Sequence, residues 1–202
     1  MIKIIFFFLA SNNSKKLKSI FGTHENVTYL EYKFSNKYLR LLFSIPLIIR
    51  KYKIDFAHFQ YIVPLIKNCR YIVTIHDILF IDFPQYFPLK YRIRNKFLFK
   101  WSASKSDIVL SVSEYSKNRI EDCFKINMVI VTPNAVDPIF FEEYNKKDVK
   151  KEVYNQYGLK DYWIYISRWE PRKNHHSLLK VFVENKYYEN YSLVFVGNYA
   201  IK

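Results

Sequence analysis

YWIYISRWEPRKNHHSLLKV, residues 162–181, is the stretch from which the fold can be read. Residues 163–167 form a continuous apolar run of strand length, rich in aromatic and β-branched side chains, and predict a buried strand. A short basic loop follows over residues 168–173. Asn174 then stands at the N-cap of a predicted helix, with Leu178, Leu179, Phe182 and Val183 at helical spacing behind it. A strand that hands its loop to a helix N-terminus offers backbone N–H groups and the positive end of a dipole, which suits an anion. Arg168, Arg172 and Lys173 add three full cations, so phosphate or diphosphate is the expected ligand. The plain alternative is a solvated basic loop that binds nothing.

Outward from this stretch the same alternation repeats. Residues 2–9 read as a fully buried strand of the parallel-sheet kind. The polar loop 11–14 and a short helix over 15–20 follow, then a strand over 27–32. Residues 36–53 read as a helix with Leu39, Leu42, Phe43 and Ile49 inward, bent at Pro46. Strands are predicted over 56–59, 71–75, 108–112, 129–132 and 193–196. Helices are predicted over 88–104, 114–124 and 144–157, the second capped by Ser113 and the last stopped by Gly158. Strands alternating with helices predict an α/β fold with parallel sheets. The expected division is a first domain over 1–143, a connecting helix over 144–160 and the start of a second domain over 161–202. Ligands of open parallel sheets gather at the carboxyl ends of the strands. His58, His76, Asp77, Ser113, Asn134, Arg168 and Gly197 all sit at or just past such ends.

Half of the 202 residues are hydrophobic, glycine is scarce and the formal net charge is +14. Aromatic side chains are abundant too, and with glycine scarce the composition argues against disorder. The charge suits an anionic partner: nucleic acid, an anionic membrane face or phosphorylated small molecules. An AT-rich coding bias toward Lys explains it equally well. Cys69 and Cys123 form neither a disulfide framework nor a metal spacing, which points to a reducing cytoplasm. His175 and His176 are adjacent, so they leave a helix on different sides and read as surface or packing residues. Ser113 reads as a cap, because no nucleophile elbow surrounds it. The basic helix 88–104 carries two readings, a solvated face or docking to anionic lipid.

Four stretches together resemble the GT-B retaining glycosyltransferases of the family 4, group 1 type. They are VTIHD (73–77), SDIVLSVSEYSKNRI (106–120), VTPNAVDPIFF (131–141) and ISRWEPRKNHHSLLKVF (166–182). The resemblance implies two facing Rossmann-like domains, the first for the acceptor and the second for a nucleotide-sugar donor. It implies a saccharide or lipid-linked acceptor, retention of configuration, and no metal or further cofactor. On it, His76 is the catalytic candidate and Arg168 and Lys173 hold the donor diphosphate. Asp77, Ser113, Asn134, Gly197 and Asn198 become candidate cleft-lining residues. A surface-polysaccharide enzyme is implied, bacterial and cytoplasmic, with peripheral contact to the inner face of the anionic membrane. The sequence departs from the family pattern at Ser167 and Ala135, where glycines are usual, and at residues 11–14, where a glycine-rich loop is usual.

Residues 163–202 fall below the usual size of a domain. The expectation is therefore either a truncated second domain or a complementing chain that supplies the rest, with this chain weak or inactive alone. The rival readings are a basic nucleic-acid-binding module, for which no reader motif is present, and a non-catalytic scaffold on a membrane surface. A nucleic-acid partner is not expected, and G-x-G-x-x-G is absent, which argues against a dehydrogenase.

Overall fold

The computed structural model describes residues 5–199. The chain divides into two compact units, Met1–Asn134 and Ala135–Lys202.

The first unit opens with β1 (Phe7–Ser11), α1 (Ser14–Phe21) and β2 (Val27–Glu31). β1 and β2 pair in parallel. The strand expected over 2–9 thus lies later in the chain, and the first residues of that range fall outside those described. The glycine-free loop between β1 and α1 is held by its own side chains. Asn13 accepts the Lys16 N–H as a cap, the Asn13 N–H donates to Ser11 Oγ, and Ser14 Oγ donates to Glu31.

The predicted helix 36–53 is present in three pieces: α2 (Lys37–Leu39), a π-helical turn (Arg40–Ser44) and α3 (Ile45–Tyr52). Pro46 occupies the first turn of α3. Proline has no N–H to give the preceding turn, and the ladder widens to a π turn immediately before it.

β3 (Phe56–Gln60), β4 (Arg70–Thr74), β5 (Ile108–Ser111) and β6 (Val129–Val131) form a four-stranded parallel sheet in that order. Between β4 and β5 lie α4 (Leu79–Asp82) and α5 (Leu89–Lys105); α6 (Glu114–Phe124) joins β5 to β6. Tyr71, Val73 and Ile75 are fully buried at the centre, packed with Phe99 and Ala103 of α5 and with Ile120 and Phe124 of α6. A cluster of this size is what anchors a parallel sheet whose two faces are covered by helices.

β1 and β3 do not pair, so the sheet is in two parts. Their facing edges border a cavity of about 1330 Å³, lined by Phe8, Ala10, Ile49, Tyr52, Ala57 and Phe59 among others.

The second unit begins with a one-turn 3₁₀ segment, Pro138–Phe141, and α7 (Lys146–Tyr157). Asn145 caps α7, and Gly158 ends it in the left-handed region, its N–H on Tyr154 O. Lys150 pairs with Asp161 at 2.7 Å, tying the helix to the entry of β7 (Tyr162–Ile166). α8 (His175–Glu184) returns the chain to β8 (Ser192–Val196), which pairs with β7 in parallel. Trp163 packs on Phe182 and Tyr187. The opposite face carries Ile164 and Ile166, which are exposed.

Candidate functional site

The predicted site residues fall into two groups, one in each unit. In the first unit, parallel pairing places the carboxyl ends of β3, β4 and β5 side by side. His76 leaves β4 two residues past Thr74. Its Nε2 meets Gln60 Oε1 from the end of β3. With a side-chain carbonyl oxygen opposite, Nε2 is the nitrogen that donates, and Nδ1 faces no protein partner in this contact. The Tyr61 ring lies against the imidazole, with centroids 5.3 Å apart, and stacks on Phe99 at 4.9 Å. Tyr61 takes a positive φ of 62°, an uncommon conformation for a bulky residue. Two backbone bonds hold it there: its N–H on Thr74 O, and the Ile62 N–H on Gln60 O.

His58 Nε2 lies 2.7 Å from Thr74 Oγ1. Partial burial pushes the His58 pKa down, and the nearby charge of His76 pushes it the same way. Burial lifts the Tyr61 hydroxyl to about 12, with Asp77 and Tyr91 adding to the rise. Tyr61 is therefore a neutral donor or acceptor throughout the physiological range.

Asp77 and Ser113 serve local structure. Asp77 Oδ1 accepts the Leu79 N–H at 3.3 Å, closing the turn into α4. Ser113 Oγ accepts the Ser116 N–H at 3.2 Å as the cap of α6. Asn134 is exposed just past β6. The turn after His76 is fixed from behind. The nearly buried Asp82 carboxylate takes two bonds from Arg119, at 2.6 and 2.8 Å, and one from Tyr115 at 3.3 Å. Gln60, Tyr61 and Arg119 are contributors that sequence reasoning missed. Their roles depend on the β3–β4 register and on α6 packing, which no local motif announces.

In the second unit the loop after β7 carries Arg168, exposed, and Lys173, half-buried. Neither has an ion-pair partner among the described residues, whereas Glu170 holds Arg172 at 2.5 Å. The cations of the loop are thus two unpaired and one neutralised. Asn174 stands at the predicted N-cap position but does not cap α8 with its side chain. It sits in the left-handed region, and its Oδ1 accepts from Ser177 Oγ at 2.8 Å. The first-turn N–H groups of α8 are thus left without a side-chain cap.

The loop is braced from below. The Tyr165 hydroxyl donates to Lys173 O at 2.7 Å, and Ser167 Oγ lies 3.0 Å from His175 Nε2. Trp169 stacks on His175 with centroids 4.6 Å apart. The Trp169 N–H donates to Asn198 O at 3.1 Å. Gly197 permits this approach of the β7 and β8 loops: a Cβ there would stand 1.8 Å from Ser167 O. Gly197 and Asn198 therefore act through backbone contact with the Arg168 loop. Trp169, His175, Phe195 and Tyr199 also line a pocket of about 550 Å³ beside it. Among the described residues no three His, Cys, Asp or Glu side chains cluster as metal ligands would.

Chemically, the first group offers an oriented imidazole with hydroxyl and amide neighbours. The second offers a fork-shaped guanidinium, an ammonium and uncapped N–H groups, the donors that an oxyanion or phosphate accepts from. No curated protein matches the chain. A family model does: Glycosyltransferase Family 4, over residues 5–140, which takes in all the strands of the first unit. The matched residues make up more than half of the chain and include His76 and its neighbours. The chain therefore belongs to Glycosyltransferase Family 4.

Proposed function

We propose that the chain moves a sugar from a nucleotide-sugar to a saccharide or lipid-linked acceptor, with retention of configuration and without a metal, in the making of bacterial surface polysaccharide. In this reading the second unit holds the donor diphosphate. Arg168 gives a planar fork to its oxygens and Lys173 a point charge, while the start of α8 adds N–H groups. Negative charge on the diphosphate grows as the sugar departs. Fixed cations stabilise that charge more in the transition state than in the ground state, which is what accelerates the step. His76, oriented by Gln60 and Tyr61, meets the transferred sugar through Nδ1. The chain works on the cytoplasmic side of the membrane.

The observation that carries the reading is the contrast within one loop: Arg172 is neutralised by Glu170, and Arg168 and Lys173 are not. A loop that needed no anion would gain by pairing them. The apolar face of Ile164 and Ile166 supports a further point, that full activity needs additional structure over that face, in this chain or another.

The test is a thermal-shift and titration screen with uridine, guanosine and adenosine diphosphates and their sugars. A ligand bound only by the native state raises the melting temperature by mass action. One nucleotide is expected to do so. Arg168→Ala and Lys173→Ala should each weaken it about tenfold or more, the scale of a lost charge-assisted hydrogen bond. Arg172→Ala should change it little. Equal losses for all three, or no nucleotide response in the wild type, refute the donor site.

A further inference from the structure

The loop from β1 into α1 is the kind of strand-to-helix turn at which open parallel sheets take an anion. Here that place is filled by the chain itself. Asn13 Oδ1 accepts the Lys16 N–H at 2.9 Å. The Glu31 carboxylate accepts from Ser14, the hydroxyl at 2.9 Å and the backbone N–H at 3.5 Å. With a carboxylate already against the start of α1, a second anion is repelled from it. Next to Glu31, Tyr32 continues the ladder with its N–H on Ser11 O. Side chains alternate along a strand, so its ring turns to the other face. That ring carries Arg40, whose Cζ lies 5.3 Å from the centroid. Arg40 Nη1 donates to Asn12 Oδ1 at 2.8 Å. The Arg40 backbone is fixed as well: its N–H donates to Asn36 O, and its carbonyl takes the Ile45 N–H across the π turn. Among the described residues Arg40 has no ion-pair partner, and Asn12 is the one acceptor of its guanidinium. Burial pushes the Tyr32 hydroxyl up, and the Arg40 charge works against the rise.

We propose that Arg40, held by Asn12 and Tyr32, is an oxyanion-binding residue of the first unit, with a phosphate or carboxylate group as its ligand. A guanidinium offers paired N–H groups to the two oxygens of such a group, and only one N–H is taken by Asn12. The long side chain is already ordered on two sides, so little rotamer freedom remains to be lost on binding. It stands just past the carboxyl ends of β1 and β2, where ligands of parallel sheets collect, and at a π turn, a feature frequent at functional sites. A tie that served the fold alone would need a donor to Asn12 and no charge. On the sugar-transfer reading the anion belongs to the acceptor, which is then a uronic acid saccharide or a phosphate-linked one. That assignment rests on the reading; the anion site itself does not.

The test follows the Arg40 Nε–H signal in nitrogen-15 spectra of the full chain. Arg40→Gln identifies the signal by its loss and keeps a donor for Asn12; Arg40→Lys identifies it too, should the glutamine variant fail to fold. The probes are inorganic phosphate, glucuronate and, as a neutral control, glucose, in about 0.1 M chloride to screen diffuse attraction. The signal is expected to move saturably with phosphate, with glucuronate or with both, and not with glucose. The anion with the lower midpoint tells a phosphorylated ligand from a uronic acid one. Asn12→Ala should raise that midpoint about fivefold, the effect of freeing one long side chain. No movement with either anion overturns the proposal. So does equal movement with glucose, a midpoint shared by the other arginines of the first unit, or an unchanged midpoint in Asn12→Ala. The signal is local to Arg40 and the probes are simple anions, so a failed nucleotide screen leaves the site standing.

Discussion

Gln60 shows how much of the first unit's chemistry is set by a single contact. It ends β3 opposite Thr74, which brings its side chain to His76 of the neighbouring strand. That contact decides which ring nitrogen keeps the lone pair. In Gln60→Leu the imidazole loses its acceptor and exchanges between tautomers. Nitrogen-15 spectra of the ring should show one protonated Nε2 in the wild type and averaged shifts in the variant. Sugar transfer should fall about tenfold, the value of one net hydrogen bond, while nucleotide affinity stays unchanged. A side chain that only filled space would leave the spectrum as it was. His76, Arg168 and Lys173 are visible in the sequence because each follows a readable strand. Gln60 is not, because its meaning lies in the partner strand. Asn174 shows the converse: its type and position signal a cap, yet Ser177 takes its oxygen.

At the scale of elements, the apolar runs locate seven of the eight strands among the described residues within one residue, the first being the exception, and Pro46 announces the interruption of its helix. Burial alone specifies these segments, so the sequence displays them. Strand entry is set by polar contacts instead. Asp107 joins β4 to β5: its N–H donates to Tyr71 O, and its Oδ2 accepts the Tyr71 N–H at 2.7 Å. Lys67 reaches the same oxygen at 2.7 Å. The hydrogen bond from Lys67, then that from Tyr71, holds the Asp107 carboxyl below the usual carboxylate range. A folded-state pKa lower than the unfolded one contributes stability above the unfolded value and loses it as pH falls through the folded value. Wild type should therefore melt above Asp107→Asn at neutral pH. The gap should narrow as pH drops below about 4. A gap that widened in acid would mean that the carboxylate is not the stabilising form.

At the scale of the whole molecule, the main buried cluster lies in the first unit, and the family match covers that unit and runs six residues beyond it, to residue 140. The second unit is a β–α–β module with one face covered. The α/β class was legible from alternation alone. The break between β1 and β3 was not, because an apolar strand reads the same whether its edge is paired or open. That break has a consequence in time as well as in space. In β1 the Phe7 N–H bonds Asn26 O, and Ser11 O takes the Tyr32 N–H, so Phe8 and Ala10 turn their amides the other way, to the cavity. In β3, Asp55 O and the Tyr61 N–H bond the β4 side, and Phe56 and His58 turn away. Peptide groups that alternate in direction along a strand should then trade their protons for deuterium at alternating speeds. Uptake measured residue by residue should beat with a period of two along β1 and β3, fast at Phe8, Ala10, Phe56 and His58. Along β4, bonded on both sides, the clock should run uniformly slow.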